Sequence, residues 1–241
     1  MPRQPYLNYD SEGSGALLDF SISSLGSRPE FEALIGRCVM AWPTVEVEMA
    51  MILGHLLGAK DAATLAVFQQ LRRSSAQRDA IMEAANIVLN ETDIELISAS
   101  LNAHKVIEGE RNAFAHGHFG ISSNLTDAIL WMGSTDYIKT KSVFSLIPEQ
   151  KPPLSQILKS IYVYKLRDLQ TVLDDIDWLT THWFQVLEYL RTPITVFETR
   201  AQRYRQLCDQ PHIARELATL RQKNNPPKPP QPPKPAGGGK P

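Results

Sequence analysis

The sequence predicts a mainly α fold, a helical bundle with a short extended, β-hairpin-like insertion around residues 119–164. Three observations predict it. Apolar residues recur at alternating steps of three and four over long stretches, most regularly across residues 166–190. Two short apolar runs, 128–132 and 161–164, break that rhythm and are bounded by turn residues. Hydrophobic residues make up 43% of the 241-residue chain, which supports a sizeable core.

Taken in order, residues 1–27 are polar and rich in Gly and Ser, and read as a flexible segment. A single helical domain is expected over 28–222. Ser27 and Glu30 have the spacing of a capping box, with Pro29 early in the first turn. A helical pattern then runs through Gly58 with Leu34, Val45, Met49, Ile52, Leu53 and Leu56 inward, and Pro43 is expected to kink or split it. A second pattern spans about 61–89, with Leu65, Phe68, Leu71, Ile81, Ala85 and Val88 inward and a break at Ser74–Ser75.

The third pattern begins near Thr92–Asp93 and carries Leu96, Ala99, Ala103, Val106, Ile107 and Phe114 on one stripe. After the insertion, Leu166, Leu169, Leu173, Ile176, Thr180, Trp183, Leu187 and Leu190 form a regular seam, read first as packing within the bundle and alternatively as a dimer interface. A basic amphipathic helix is expected over about 194–222. Residues 223–241 form a Pro/Lys/Gly-rich tail, expected to be disordered or polyproline-like.

Composition narrows the function classes. The formal net charge is −1, so no global basic field draws the chain to nucleic acid, and any RNA contact must be local. Cys38 and Cys208 lie far apart, suggest neither a disulfide framework nor a metal pair, and fit a reducing, cytoplasmic compartment. Asp10 and Glu12 stand where a leader would be apolar, and no apolar run is long enough for a bilayer, so no membrane partner is expected. No Gly-rich phosphate loop occurs. His118, two residues after His116, invites a metal-site reading, but His55, His104, His182 and His212 supply no further ligands at zinc spacing, so neither metal nor cofactor is expected.

The stretch of residues 110–117, Glu-Arg-Asn-Ala-Phe-Ala-His-Gly, concentrates chemistry where a helix stops at a glycine. Arg111 offers a rigid charged fork suited to phosphate, and His116 can take and give a proton near neutral pH. Asn112 and His116 are four apart and share a helix face, so the amide is placed to orient the imidazole. Arg111, five before His116, lies too far round the helix for direct contact. Glu46, Glu48, Glu110 and His118 are possible supporting groups. Arg72, Arg73 and Arg78, and the later Arg200, Arg203 and Arg205, are local clusters suited to an RNA backbone.

The pattern Arg111-Asn112-x-x-x-His116, at a helix end and followed by Gly-His-Phe-Gly, resembles the signature of the HEPN superfamily of small all-α domains. The likeness spans about residues 31–210, with only the motif and helical order matching specifically. It implies a HEPN-like helical bundle and a metal-independent endoribonuclease in a toxin, stress or anti-phage setting. His116 would be acid or base, Arg111 the phosphate clamp, and Asn112 an orienting group. It also implies a homodimer with two motifs facing one cleft, an RNA substrate, and a cognate antitoxin or regulator. The alternative is a non-catalytic helical dimerisation or interaction module. In that case Arg111 and His116 are structural or anion-binding; as structural groups, Arg111 is a surface residue paired with Glu108 and His116 stabilises its helix end.

Overall fold

The computed structural model describes residues 4–9, 16–21, 23–59, 61–143, 146, 154–193 and 195–224. The elements run β1 (Gln4–Pro5), a 3-10 turn (Tyr6–Asn8), β2 (Leu18–Asp19), a second 3-10 turn (Ser24–Ser27), α1 (Pro29–Leu56), α2 (Asp61–Gln70), α3 (Ser74–Val88), α4 (Glu91–His116) and β3 (Gly117–Ser122). They continue with β4 (Leu125–Gly133), α5 (Ser134–Val143), α6 (Leu154–Leu158), β5 (Ile161–Lys165), α7 (Leu166–Arg191), α8 (Phe197–Cys208) and α9 (Pro211–Asn224). The chain is mainly helical, with one antiparallel sheet in the order β1-β5-β4-β3-β2. Among the described residues, no helix is long and apolar enough to cross a membrane.

The bundle is organised around α1, which packs chiefly on α7. At one end Cys38 Sγ reaches the Leu169 carbonyl (3.9 Å), and at the other the His55 side chain meets the Leu190 backbone. The two helices therefore run parallel, which requires a long crossover between them, and β3, β4 and β5 of the sheet lie within that crossover. Leu169, Leu173, Ile176, Trp183, Leu187 and Leu190 are all buried in the shared core. The apolar seam of α7 is thus consumed inside the chain and is not a dimer interface; its first member, Leu166, is exposed.

α1 runs unbroken through Pro43, whose ring lies on the exposed side. Its N-cap is Arg28, without a side-chain bond, in place of the expected Ser27 box; the Ser27 hydroxyl donates instead to the Ser24 carbonyl at 3.0 Å. The break between α2 and α3 falls at residues 71–73, and Ser74 opens α3 rather than ending its predecessor. Val88 and Val106, expected inward, are about half exposed at 53% and 49%. The side chain of Leu65 lies outside the described residues. The expected final helix is two, because Asp209 closes α8 and Pro211 opens α9.

The runs 128–132 and 161–164 are strands, but they belong to a larger sheet than a lone hairpin. β4 pairs with β3 on one side (Phe119 opposite Trp131) and with β5 on the other (Trp131 opposite Tyr162). Alternation along β4 then serves two cores. Ile129 and Trp131 join Tyr164 against the helices, whereas Ala128, Leu130 and Met132 join Tyr6, Leu158, Ile161 and Val163 in a smaller core on the opposite face. The first segment, expected to be flexible, carries paired strands among its described residues. β1 pairs with β5 and β2 with β3, so residues 4–5 and 18–19 supply both sheet edges, and Tyr6 is 1% exposed. The tail from residue 225 onward lies outside the described residues.

Candidate functional site

α4 is built to end firmly. Asn90 caps its start by accepting from the Asp93 amide at 3.0 Å. Near its end Phe114 is buried edge-on against Tyr164, with ring centroids 5.2 Å apart, and packs beside Phe119. The last carbonyls of a helix lack intrahelical partners. Here Trp131 Nε1 donates to the Ala113 carbonyl at 3.0 Å, and the Ser134 hydroxyl donates to the His116 carbonyl.

Gly117 is not the left-handed helix stop that its position suggested. Its φ is −88° and ψ 166°, and the chain passes directly from α4 into β3. Glycine is needed there for space: a Cβ would collide with the Trp131 indole and lie 2.7 Å from the Ala113 carbonyl oxygen.

The three motif residues take different surroundings. The Arg111 guanidinium lies 5.6 Å from the Trp42 ring centroid and donates from Nη1 to Asn112 Oδ1 at 3.1 Å. Its Nε is buried without a hydrogen-bond partner among the described residues. His116 is exposed. On a regular helix Arg111 and His116 project about 140° apart, and Asn112 and His116 about 40° apart. The structure therefore brings Arg111 together with Asn112 and leaves the imidazole on Asn112's side, facing solvent.

Arg111 stands at the top of an aromatic column. Below Trp42 lies His104 (5.2 Å between centroids), and below that Trp183 (6.4 Å). Burial drives the His104 imidazole down to a pKa of about 4; Glu108 opposes that shift and Arg78 adds to it. Glu108 pairs with Arg78 across the α3–α4 contact, and hence not with Arg111.

The supporting groups disperse. The α1 side chain over Arg111 is Trp42, not Glu46 or Glu48. Glu46 lines a cavity of about 270 Å³ with Phe68, Arg72 and Gln77. The Glu48 carboxyl is raised by burial, which Arg191 partly offsets. Glu110 is half-buried on the last turns of α4. Of the basic groups, Arg78 is held by Glu108 and Ser74, whereas Arg72 and Arg73 are exposed. Arg200 is bound to Asp93 at 2.6 Å, and Arg203 to the Glu188 carbonyl and Thr192 hydroxyl at 2.8 Å. Those two arginines clamp the corner between α7 and α8 and do not form an RNA-facing stripe; Arg205 is exposed.

His118 lies in a group that spacing alone did not reveal. It stacks on Tyr137 of α5 at 3.8 Å and 13°, with Lys141 5.9 Å from the same ring and Phe20 beyond it. Tyr137 and Lys141 gave no sequence signal, because their significance depends on α5 folding back beside β3. A second internal constellation joins a serine and a histidine to a glutamine amide, without the carboxylate of a hydrolytic triad. His182 bridges Ser100 (2.8 Å) and Gln210 (2.7 Å). Ser100 and His182 are both 0% exposed, so no substrate reaches them and the group is a buried polar tie between α4, α7 and the start of α9.

No protein-family model, curated protein or solved structure matches the chain.

Proposed function

We propose that the chain is a metal-independent endoribonuclease of HEPN type, acting as a homodimer in a toxin, stress or anti-phage setting. The observation that carries this reading is the exposed His116 at the anchored end of α4, one turn beyond the bonded Arg111–Asn112 pair. The Trp131 and Ser134 hydrogen bonds support it, since they hold the backbone around the imidazole on rigid elements.

RNA carries its own nucleophile beside the scissile phosphate. His116 takes the proton of the 2′-hydroxyl, whose oxygen attacks phosphorus as the bond to the 5′-oxygen breaks. A protonated imidazole, that of His116 from a second subunit, gives a proton to the departing 5′-oxygen. The Arg111 fork carries the charge that grows on the non-bridging oxygens, and Asn112 orients Arg111 through the 3.1 Å bond. The products are a 2′,3′-cyclic phosphate and a 5′-hydroxyl. A cognate antitoxin or regulator is the expected partner of such an activity.

A second reading, a non-catalytic helical interaction module, is favoured by one observation: Arg111 faces Trp42 with its Nε buried, the posture of a packing residue. Incubation of the purified protein with a mixed RNA pool in EDTA separates the two. Cleavage leaving cyclic phosphate ends, lost in the Arg111→Ala/His116→Ala double variant, supports the ribonuclease. RNA left intact by the wild type favours the interaction module.

A further inference from the structure

The His118–Tyr137 pair stands immediately beside His116. α5 begins at Ser134, whose hydroxyl donates to the His116 carbonyl, and Gly117 pairs with Gly133 across the β3–β4 hairpin. His118 follows two residues after His116 on β3, about 7 Å along an extended chain. The two rings are nearly parallel, 3.8 Å apart at 13°. Both residues are half-buried, so each is fixed in place yet open to solvent. Lys141 is exposed, 5.9 Å from the Tyr137 ring, and pairs with no carboxylate among the described residues; nearby Lys139 is engaged by Asp136 at 3.7 Å. A flat aromatic pair next to an exposed ammonium group matches a nucleotide, whose base offers a π-face and whose phosphate offers a negative charge.

We infer that His118, Tyr137 and Lys141 form a nucleotide subsite that stacks an unpaired base of single-stranded RNA beside the phosphate presented to His116. The inference rests on the ribonuclease reading and names its substrate as single-stranded. A base held within a duplex has its faces covered by its neighbours and cannot enter. The rings contribute sequence-tolerant affinity, because every base has a π-face. Lys141 contributes the salt-dependent part by displacing a counterion from the phosphate.

The test uses the full chain carrying His116→Ala, which keeps the RNA intact, and fluorescence anisotropy with a labelled single-stranded oligouridine in EDTA. Tyr137→Leu is expected to weaken binding by at least about fivefold, and Tyr137→Phe to retain it. Lys141→Gln, at an exposed position, is expected to lower the salt dependence by about one counterion. An abasic oligomer of the same length is expected to bind wild-type Tyr137 and Tyr137→Leu alike, since no base is there to stack. Weaker binding of the abasic than of the normal oligomer by wild-type Tyr137, together with Lys141→Gln, decides the matter should Tyr137→Leu fail to fold by circular dichroism.

Equal affinity of Tyr137 and Tyr137→Leu for oligouridine, equal binding of abasic and normal oligomers by Tyr137, or no binding at all overturns the subsite. RNA cleavage is scored separately with His116 present. A subsite that binds oligouridine as expected in a protein that cleaves nothing removes the ribonuclease reading and leaves the subsite standing. Cleavage that needs His116 but ignores Tyr137 does the reverse.

Discussion

The indole of Trp131 occupies the space that a side chain on residue 117 would need, and from there donates a 3.0 Å hydrogen bond to the Ala113 carbonyl at the end of α4. One aromatic residue of the sheet thereby closes a helix end and requires a glycine at the helix–strand junction. Gly117→Ala is expected to destabilise the fold by about 3 kcal/mol, because its Cβ has nowhere to go. Trp131→Phe loses the hydrogen bond, at a cost of about 1–3 kcal/mol, but leaves more room. The pair is therefore expected to be non-additive: urea unfolding should give Gly117→Ala a smaller effect in the Trp131→Phe background than in the native one.

The corner joining α4, α7 and α8 depends on one buried carboxylate. Asp93 accepts from Arg200 at 2.6 Å, from Asn90 Nδ2 at 2.9 Å and from the Tyr189 hydroxyl, while Arg200 lies 4.2 Å over the Tyr189 ring. The guanidinium also donates to the Tyr189 and Thr192 carbonyls at 3.0 Å. Removing one member strands a buried charge. Asp93→Ala is expected to cost about 3–5 kcal/mol in chemical denaturation. Arg205→Ala, at an exposed position, is expected to stay within about 0.5 kcal/mol.

Stability is expected to fall on mild acidification. Burial holds the imidazoles of both His104 and His182 at a pKa of about 4, against an ordinary value of 6.5. The hydrogen bond to Gln210 works against the His182 shift, and His212 adds to it. The unfolded chain therefore binds more protons between those limits. Each histidine contributes stability that is complete above pH 6.5 and declines as pH falls toward 4, by a total on the order of 3 kcal/mol per site. His182→Asn should reduce the slope of unfolding free energy against pH by about one proton in that window. An unchanged slope in urea titrations would show that His182 is not the titrating group.

Catalysis, if Arg111 carries phosphate charge, should depend on Trp42. Arg111→Lys keeps the charge but loses the planar fork and its contact with the indole, and is expected to lower kcat at least about tenfold with less effect on KM. Trp42→Phe keeps a π-face and should retain more activity than Trp42→Leu, which fills the space without one. Equal rates for the two would mean that Trp42 only fills volume.

Much of the helical architecture was legible because its cause is local. Leu169, Leu173, Ile176 and Trp183 repeat with the period of a helix, and a helix buried along one stripe has no other pattern available. The centres of β4 and β5, residues 128–132 and 161–164, were legible as apolar runs for the same reason. The edges were not. Gln4–Pro5 and Leu18–Asp19 are two-residue strands whose identity comes from partners more than a hundred residues away, and no window of sequence contains both.

The site divides along the same line. Asn112 and His116 lie on one side of α4 by helical geometry alone, whereas the Trp42 face over Arg111 and the Tyr137 ring on His118 are meetings of separate elements. Gly117 illustrates the point within one residue. A glycine after a helix suggests a left-handed stop, but the reason for this one is a tryptophan fourteen positions further on.

The pairing of Gln4 with Val163 and of Leu18 with Ser122 sets a schedule for the chain as it leaves the ribosome. Residues 4–19 emerge before α1, yet β3 and β5, which hold them, follow only after the long helix α4. The second sheet edge closes only when β5 has been made, and α1 waits longer still for its parallel partner α7. Synthesis interrupted short of Ile161 leaves β1, one side of β4 and the side of α1 that packs on α7 without partners at once, so apolar surface stays uncovered until the last third of the chain is made.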